Sequence, residues 1–216
     1  PVGSAVVTLG VNPVDTVWGT ERPPFPTAPL RVHKAEFSGQ SVADKIELIR
    51  GKLREHKSDV LVVSPLDEVA WLFNVRGGDL DYNPVTLGYG LVGEDDGCCG
   101  VAEGKATDDV RAHLAEAGVT VKPYDECAGD MRAAAAAGKT LWIDADKVSV
   151  ALAEAAEEAA AAAGPADKRA KTEAGEDKKP VKEGVSPIPL AKSVKNEAEL
   201  AGMLEAHLRD GVAMAS

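Results

Sequence analysis

Apolar positions along the chain predict a helix, a strand and a second helix in its first third. Ser41 is a good N-cap residue. Four apolar residues follow it at helical spacing: Val42, Ile46, Ile49 and Leu53. The β-branched run at 59–63 is too short for a helix and predicts a buried strand. The next helix is predicted to run to about Asn74, with Ser64 as its N-cap and Pro65 at its first helical position.

Strands and helices continue to alternate beyond residue 85. Strands are predicted at 86–92, 98–102, 119–121 and 141–143, and helices at 107–118, 125–137 and 146–163. A last helix starts at Asn196, with Glu199 completing a capping box, and carries an apolar stripe to the end of the chain. Strands separated by helices of this length predict a layered α/β domain.

Two segments interrupt this alternation. Residues 1–36 contain a β-like run at 5–9 and then the proline-rich Pro23–Pro26, which favours extended backbone and predicts a linker or arm. Residues 164–184 hold six Lys or Arg and five Asp or Glu among Gly and Pro. Such a segment buries too little apolar surface to offset its ordering entropy, so it is interpreted as a flexible insertion. The alternative is a docking segment for a partner.

Composition excludes several classes of protein. The 216 residues carry 24 Lys or Arg against 35 Asp or Glu, a net charge of −11, which disfavours nucleic-acid binding. No apolar run approaches the ~20 residues that cross a bilayer, so no membrane association is predicted. The three cysteines are odd in number and indicate no disulfide framework, as is typical of a reducing, cytoplasmic setting.

Motifs that imitate known sites lack the context that their chemistry needs. The 88–93 run, GYGLVG, spells a dinucleotide fingerprint, but a turn with acidic residues follows where a helix N-terminus should hold phosphate. The run from Asp79 imitates a calcium loop, with Pro84 in place of the required glycine. Cys98 and Cys99 alternate across a strand, and nothing local activates either thiol. His207 lies in the apolar stripe of the last helix and is interpreted as a buried or interfacial structural residue.

Residues 66–79, LDEVAWLFNVRGGD, with Asn83-Pro84-Val85 after them, closely resemble the signature of Xaa-Pro aminopeptidases (aminopeptidase P) in their long, three-domain form. Residues 12–23, 141–144 and 186–207 add weaker similarity. Twelve residues carry the family pattern: Asp67, Glu68, Trp71, Asn74, Arg76, Gly77, Asp79, Asn83, Pro84, Lys192, Lys195 and Asn196. We call residues 66–85 the signature block.

The resemblance implies a creatinase-type N-terminal domain over 37–186, with a mixed sheet flanked by helices, and the start of a pita-bread catalytic domain over 187–216. It implies hydrolysis of the bond before a penultimate proline by a dinuclear, usually manganese, site, in an enzyme that is typically a homodimer. The five metal ligands of the family (two Asp, one His, two Glu) would all lie beyond Ser216. The chain alone is therefore expected to bind no metal and to be inactive.

The signature residues themselves are expected to be mostly structural. Trp71 is expected in the core, and Asp67 and Glu68 are first-turn acids that complement the helix dipole. One hypothesis has Arg76 and Asn74 facing the catalytic domain or a neighbouring subunit and shaping the substrate mouth. The alternatives for Arg76 are pairing with Asp79 or capping backbone carbonyls.

Two functions remain open at this point. The missing initial Met and the helix that runs into the C-terminus favour part of a longer aminopeptidase. The other hypothesis is a complete, non-catalytic creatinase-like module that binds a peptide or a protein partner.

Overall fold

The computed structural model describes residues 9–162 and 179–215. The strand predicted at 5–9 falls almost wholly outside this range, as do residues 164–178 of the predicted insertion. The strands are β1 (Arg31–Val32), β2 (Val60–Val63), β3 (Val75–Arg76), β4 (Gly88–Gly93), β5 (Gly97–Val101), β6 (Val119–Pro123), β7 (Leu141–Ile143) and β8 (Val181–Glu183). The helices are α1 (Pro13–Trp18), α2 (Ala35–Ser38), α3 (Val42–His56), α4 (Leu66–Leu72), α5 (Asp108–Ala115), α6 (Cys127–Ala136), α7 (Val150–Ala162), α8 (Ile188–Ser193) and α9 (Glu197–Ala215).

The main sheet of the described residues has the strand order β6-β5-β4-β2-β7-β8. Strands β2 with β4 and β4 with β5 are antiparallel, whereas β2 with β7, β5 with β6 and β7 with β8 are parallel. The predicted mixed sheet is therefore confirmed. Strands β1 and β3 pair separately as a small antiparallel ribbon.

Central strand β2 shows how the sheet divides the core. Its alternate side chains point to opposite faces, as the period of a strand requires. Leu61 and Val63 pack in one apolar cluster with α3, α4 and α5, while Val60 and Val62 pack in a second cluster with α6 and α7. Helices thus cover both faces of the sheet, in agreement with the predicted α/β layers.

Several boundaries differ from prediction. Ser64 does not cap α4, because the helix begins one residue later than predicted and Pro65 takes the N-cap position; the Ser64 hydroxyl donates to the carbonyl of Lys147 (3.0 Å). Helix α4 ends at Leu72, and α7 begins only at Val150. Thr107 occupies the N-cap position of α5 as predicted, although its side chain makes no cap hydrogen bond.

Two of the predicted segments contain more structure than expected. The interpretation of 164–184 as a flexible insertion is wrong at its C-terminal end, since β8 pairs with β7 and extends the sheet. Residues 1–36 are not purely a linker: Leu30 is buried in the core, and β1 and the start of α2 belong to the domain. Residues 187–216 contain two helices, α8 and α9, rather than one.

Candidate functional site

The signature block places three of its polar side chains inside the domain, those of Glu68, Asn74 and Asp79. Helix α4 follows buried strand β2 and buries one whole side, including Glu68 and Trp71. Asn74, two residues after the end of α4, is also buried. Buried polar groups need partners, because an unpaired one costs about 1–3 kcal/mol, and the partners of these residues come from distant parts of the chain.

Asp79 organises the second half of the block. One carboxylate oxygen, Oδ2, accepts hydrogen bonds from Lys105 Nζ, from the Thr86 hydroxyl (3.0 Å) and from the Leu87 backbone N–H (2.6 Å). Both charged side chains of the Asp79–Lys105 ion pair are completely buried. The predicted alternative of Asp79 paired with Arg76 is wrong, because Lys105 takes that place.

Gly77 is fixed by close approach between two segments of the block. A Cβ there would lie 2.6 Å from the carbonyl oxygen of Val85 and 2.8 Å from Cβ of Thr86. The turn between these segments contains Asn83 and Pro84, which are exposed, so the pattern at these two positions reflects the turn and not the polar network.

Arg76 is half-buried and caps backbone carbonyls, as one of its predicted alternatives states. Its Nη1 donates to the carbonyls of Ala70 (3.0 Å) and Val75 (2.9 Å). Among the described residues, no carboxylate lies within 4 Å of the guanidinium. Burial lowers the pKa of Arg76, and the more distant charge of Glu199 opposes that shift.

Asn74 does not face outward as hypothesised. Its Oδ1 accepts a hydrogen bond from Lys45 Nζ (2.6 Å), and its Nδ2 donates to the carbonyl of Gln40 (2.8 Å). The substrate-mouth hypothesis therefore loses Asn74 and keeps Arg76.

Glu68 connects α4 to the segment before α8. Its Oε1 accepts a hydrogen bond from Lys147 Nζ (2.8 Å), and its Oε2 accepts one from the hydroxyl of Ser186 (2.7 Å). Asp144 binds the backbone N–H of Ser186 (2.9 Å) as well. The first-turn acid predicted to serve the helix dipole thus also fixes the chain that leads to the C-terminal helices.

The three C-terminal signature residues lie near this junction. Lys192 pairs with exposed Asp67, and Lys195 donates to the carbonyl of Lys192 (2.7 Å). Lys192, Lys195 and Asp67 line an open cleft between α4 and α8, together with Glu68 and Lys147. Asn196 caps α9: its side-chain Oδ1 accepts a hydrogen bond from the Glu199 N–H (3.0 Å), and its own backbone N–H donates to the Glu199 carboxylate (3.0 Å). The predicted capping box is therefore confirmed.

The cysteines and histidines form no nucleophilic site. Cys99 faces the first core cluster and Cys98 the second, as their predicted alternation requires. Burial raises the pKa of the Cys98 thiol to about 11 and that of the Cys99 and Cys127 thiols to about 12, so all three remain protonated near neutral pH. His207 is exposed, so of its two predicted placements, buried or interfacial, the buried one is wrong and the interfacial one stays a prediction.

Three lysines that donate hydrogen bonds to buried residues of the signature block were not predicted from the sequence: Lys45, Lys105 and Lys147. A signal existed for Lys45, since it lies on the apolar face of α3, beside Ile46 and one turn from Val42. Nothing in the sequence pairs Lys105 with Asp79, which lies 26 residues away. Nothing in the sequence pairs Lys147 with a carboxylate 79 residues away.

The described residues contain no group of three or more His, Cys, Asp or Glu that could hold a metal ion. In the same ranges, no helix has the length and apolar character needed to cross a membrane. The 88–93 glycine run lies entirely within β4, so it has no helix N-terminus to offer a cofactor phosphate.

Comparison with known proteins shows which proteins this chain is similar to. A probable Xaa-Pro aminopeptidase P of Sordaria macrospora is 39% identical over 220 residues, which cover 98% of this chain and 33% of that protein. Its counterpart in Neurospora crassa is 40% identical over 220 residues, covering 98% of this chain and 29% of that protein. The chain therefore spans about a third of the length of these relatives.

Among solved structures, the X-prolyl aminopeptidase of Caenorhabditis elegans, described as a cytosolic enzyme with a di-nuclear active site, superposes with a TM-score of 0.79 at 28% identity. The match covers 96% of this chain and 31% of that one. The resemblance inferred from the signature block is thereby confirmed. Residues 21–199 match the family model described as the Creatinase/Prolidase N-terminal domain, and the protein belongs to that family.

Proposed function

We propose that this chain is a non-catalytic domain of a metal-dependent Xaa-Pro aminopeptidase that removes the first residue from peptides with proline in second position. The observation that carries the proposal is similarity along 98% of the chain to proteins named Xaa-Pro aminopeptidase P. In the same proposal, 37–186 is the creatinase-type domain and 187–216 begins the catalytic domain. The parent enzyme is cytoplasmic and homodimeric.

The residues described do not fit a dinuclear metal site. The buried carboxylates of the signature block are already engaged, Glu68 by Lys147 and Ser186, and Asp79 by Lys105. We therefore place the two manganese ions of the parent enzyme in a part of the protein outside this chain, and no step of the hydrolysis is assigned to residues here.

The hypothesis for this domain is that Arg76 shapes the substrate mouth of the complete enzyme. A guanidinium has five N–H donors in a fixed fork, and within the described part of the chain only Nη1 of Arg76 makes hydrogen bonds. The other donors are thus available to a carbonyl or carboxylate from the substrate or from the rest of the enzyme. Burial that lowers the pKa of Arg76 makes such a partner more favourable, since a desolvated cation gains most from an anion.

The test uses the complete, manganese-loaded enzyme and a peptide of the Xaa-Pro-Pro type. Arg76→Ala is expected to lower kcat/KM at least tenfold. Arg50→Ala is the matched control, because Arg50 is also half-buried and donates to a backbone carbonyl, that of Gly93 (3.2 Å). A lowered melting temperature with unchanged kcat/KM in Arg76→Ala would leave Arg76 a purely structural role.

A separate measurement decides between a domain and a self-sufficient module. The mass of the native polypeptide, captured from source cells with an antibody to residues 41–160, is expected to exceed 22.4 kDa greatly. A native species of 22.4 kDa, or release of the first residue of an Xaa-Pro-Pro peptide by the isolated, manganese-loaded chain, would contradict the proposal. The first result would favour the module that binds a peptide or protein partner.

A further inference from the structure

Helix α3 buries a lysine in its apolar face. Lys45 is 1% exposed and lies in the core-facing row of the helix with Val42, Ile46 and Ile49. Within the described residues, no carboxylate lies within salt-bridge distance of its ammonium group. Burying a charge without an opposite charge is costly, so the contacts that this lysine does make require an explanation.

In the part of the chain that the structure describes, the Lys45 ammonium makes its hydrogen bonds at the end of α4. Its Nζ donates to the carbonyl of Trp71 (2.8 Å) and to Oδ1 of Asn74 (2.6 Å). It also lies 4.2 Å from the centroid of the Trp71 ring, in cation–π geometry. Lys45 therefore binds the point at which the chain leaves α4.

Asn74 has a left-handed backbone conformation. Its φ is +49°, in a region that non-glycine residues seldom adopt and that asparagine enters chiefly where its side chain is hydrogen-bonded. Four polar groups of the residue are engaged: the side chain with Lys45 and Gln40, the carbonyl with the His33 N–H (2.7 Å) and the N–H with the Trp71 carbonyl (3.4 Å). The left-handed turn is thus held by hydrogen bonds with four other residues.

This turn determines where Arg76 lies. The chain passes directly from Asn74 into β3, where Val75 pairs with Val32 and Arg76 with Arg31. A change of φ at Asn74 would rotate the start of β3 relative to α4, and the Arg76 guanidinium would move with it.

We propose that Lys45 is a positioning residue for Arg76, acting by holding Asn74 in the left-handed conformation at the end of α4. The functional consequence rests on the proposed role of Arg76 at the substrate mouth. The mechanical part of the proposal, from Lys45 through Asn74 to Arg76, is independent of that role.

A cycle of substitutions tests the mechanical part. Glycine adopts positive φ without a side-chain anchor, so Asn74→Gly should make the anchor dispensable. Lys45→Met is expected to shift the Arg76 Nε–H resonance in the NMR spectrum of the chain. The double variant Lys45→Met/Asn74→Gly should show this resonance at the same position as the single variant Asn74→Gly.

The matched control is Lys122→Met. Lys122 is also held by a side-chain acceptor, with Asp130 at 2.7 Å from both carboxylate oxygens, but it lies on β6, away from α4. The Lys122→Met substitution should therefore leave the Arg76 resonance unchanged. Should Lys45→Met fail to fold, Lys45→Gln retains a donor for the Trp71 carbonyl and takes its place in the cycle. An Arg76 resonance unaffected by the Lys45 substitution, or equally disturbed in the Asn74→Gly background, overturns the proposal.

Activity of the complete enzyme separates this inference from the proposed function. Lys45→Met is expected to lower kcat/KM about tenfold, with recovery in Lys45→Met/Asn74→Gly. If the Arg76 resonance moves and recovers while Arg76→Ala leaves kcat/KM unchanged, the positioning stands and the substrate-mouth role fails. If Arg76→Ala lowers kcat/KM but Lys45→Met leaves the resonance unmoved, the role stands and the positioning by Lys45 fails.

Discussion

The signature block and helix α9 distribute polarity in opposite ways. The block hides charges: Glu68, Asp79 and Lys105, the partner of Asp79, lie inside the domain, whereas Lys147 reaches Glu68 from the surface. Helix α9 instead exposes its apolar stripe, with Leu204 and Leu208 about two-thirds or more exposed. Its contacts within the described residues are chiefly those of its first turn with α2.

The two regions were equally clear as local patterns, since each combines a helix start with apolar residues at helical spacing. The difference lies in where the partners are. The block finds its partners in distant residues of the same chain, so most of its buried polar groups are paired, although Oδ1 of Asp79 is buried with no hydrogen-bond partner among the described residues. The stripe on α9 has the composition of a core-facing surface, and under the proposed function the rest of the enzyme covers it. The contrast gives four predictions.

The largest effect is expected at Asp79. Asp79→Asn retains the shape of the side chain but leaves the buried Lys105 ammonium without an anion. Removing one partner of a buried ion pair typically costs about 3–5 kcal/mol, and urea denaturation of the chain should show a loss of this size in the free energy of unfolding.

Asp67→Asn is the control for this prediction, because Asp67 pairs with Lys192 at the surface, where an ion pair contributes about 0–1 kcal/mol. A loss of less than about 1 kcal/mol for Asp79→Asn would mean that water or rearrangement satisfies Lys105. The block would then not be the rigid, internally paired region of the comparison.

A second effect depends on pH and comes from Lys45. Burial lowers its pKa from the ordinary 10.5 to about 8; Glu199 opposes and Arg76 adds to this shift, and His33 is the other titratable group near it. Between pH 8 and 10.5 the unfolded chain therefore binds more protons at Lys45 than the folded chain. The free energy of unfolding should rise with pH in this window, by about 3 kcal/mol in all.

The measurement is the difference between the native chain and Lys45→Met in urea denaturation at pH 7, 8, 9 and 10. The subtraction removes the contribution of the buried thiols, whose raised pKa values act in the opposite direction over the same range. A difference that stays constant with pH would show that Lys45 keeps its charge as easily in the folded chain as in water.

The third prediction concerns the joint between α9 and the end of α2, where α9 meets the rest of the domain. Asn196 Nδ2 donates to the carbonyl of Ser38 (2.8 Å), and a Cβ on Gly39 would collide with the Asn196 amide, with Cγ at 2.6 Å. Gly39→Ala should destabilise the first turn of α9 and raise its hydrogen exchange several-fold.

Gly138→Ala is matched to this change, since both glycines have positive φ (+63° and +79°) but a Cβ on Gly138 would meet nothing within 4 Å. Both variants should share a backbone strain of about 1 kcal/mol, and only Gly39→Ala should affect α9. Asn196→Ser, which keeps a capping oxygen on a shorter side chain, should relieve the collision. Equal exchange at α9 in both alanine variants would argue against the joint.

These cases show what a sequence makes predictable. The strand at 60–63, the Ser41 cap and the box at Asn196 follow from neighbouring residues, and the structure confirms them. Lys105 and Asp79 are 26 residues apart and Lys147 and Glu68 are 79 apart, so only the folded topology brings them together. The partner of Ser64 could not be predicted for the same reason, since its hydroxyl donates to the carbonyl of Lys147, 83 residues away.

The smallest effect is expected on the apolar stripe of α9. Leu204 is 74% exposed, so Leu204→Gln removes almost no buried surface, and glutamine is a good helix former. The free energy of unfolding of the chain should change by less than about 0.5 kcal/mol. Buried Leu72→Ala, by contrast, should lose about 2–5 kcal/mol. In the complete enzyme Leu204→Gln should become destabilising by more than about 1 kcal/mol, since the proposed function places the stripe in an apolar interface there. Equal, small effects in both contexts would leave α9 a solvent-facing helix and remove the contrast on which the comparison rests.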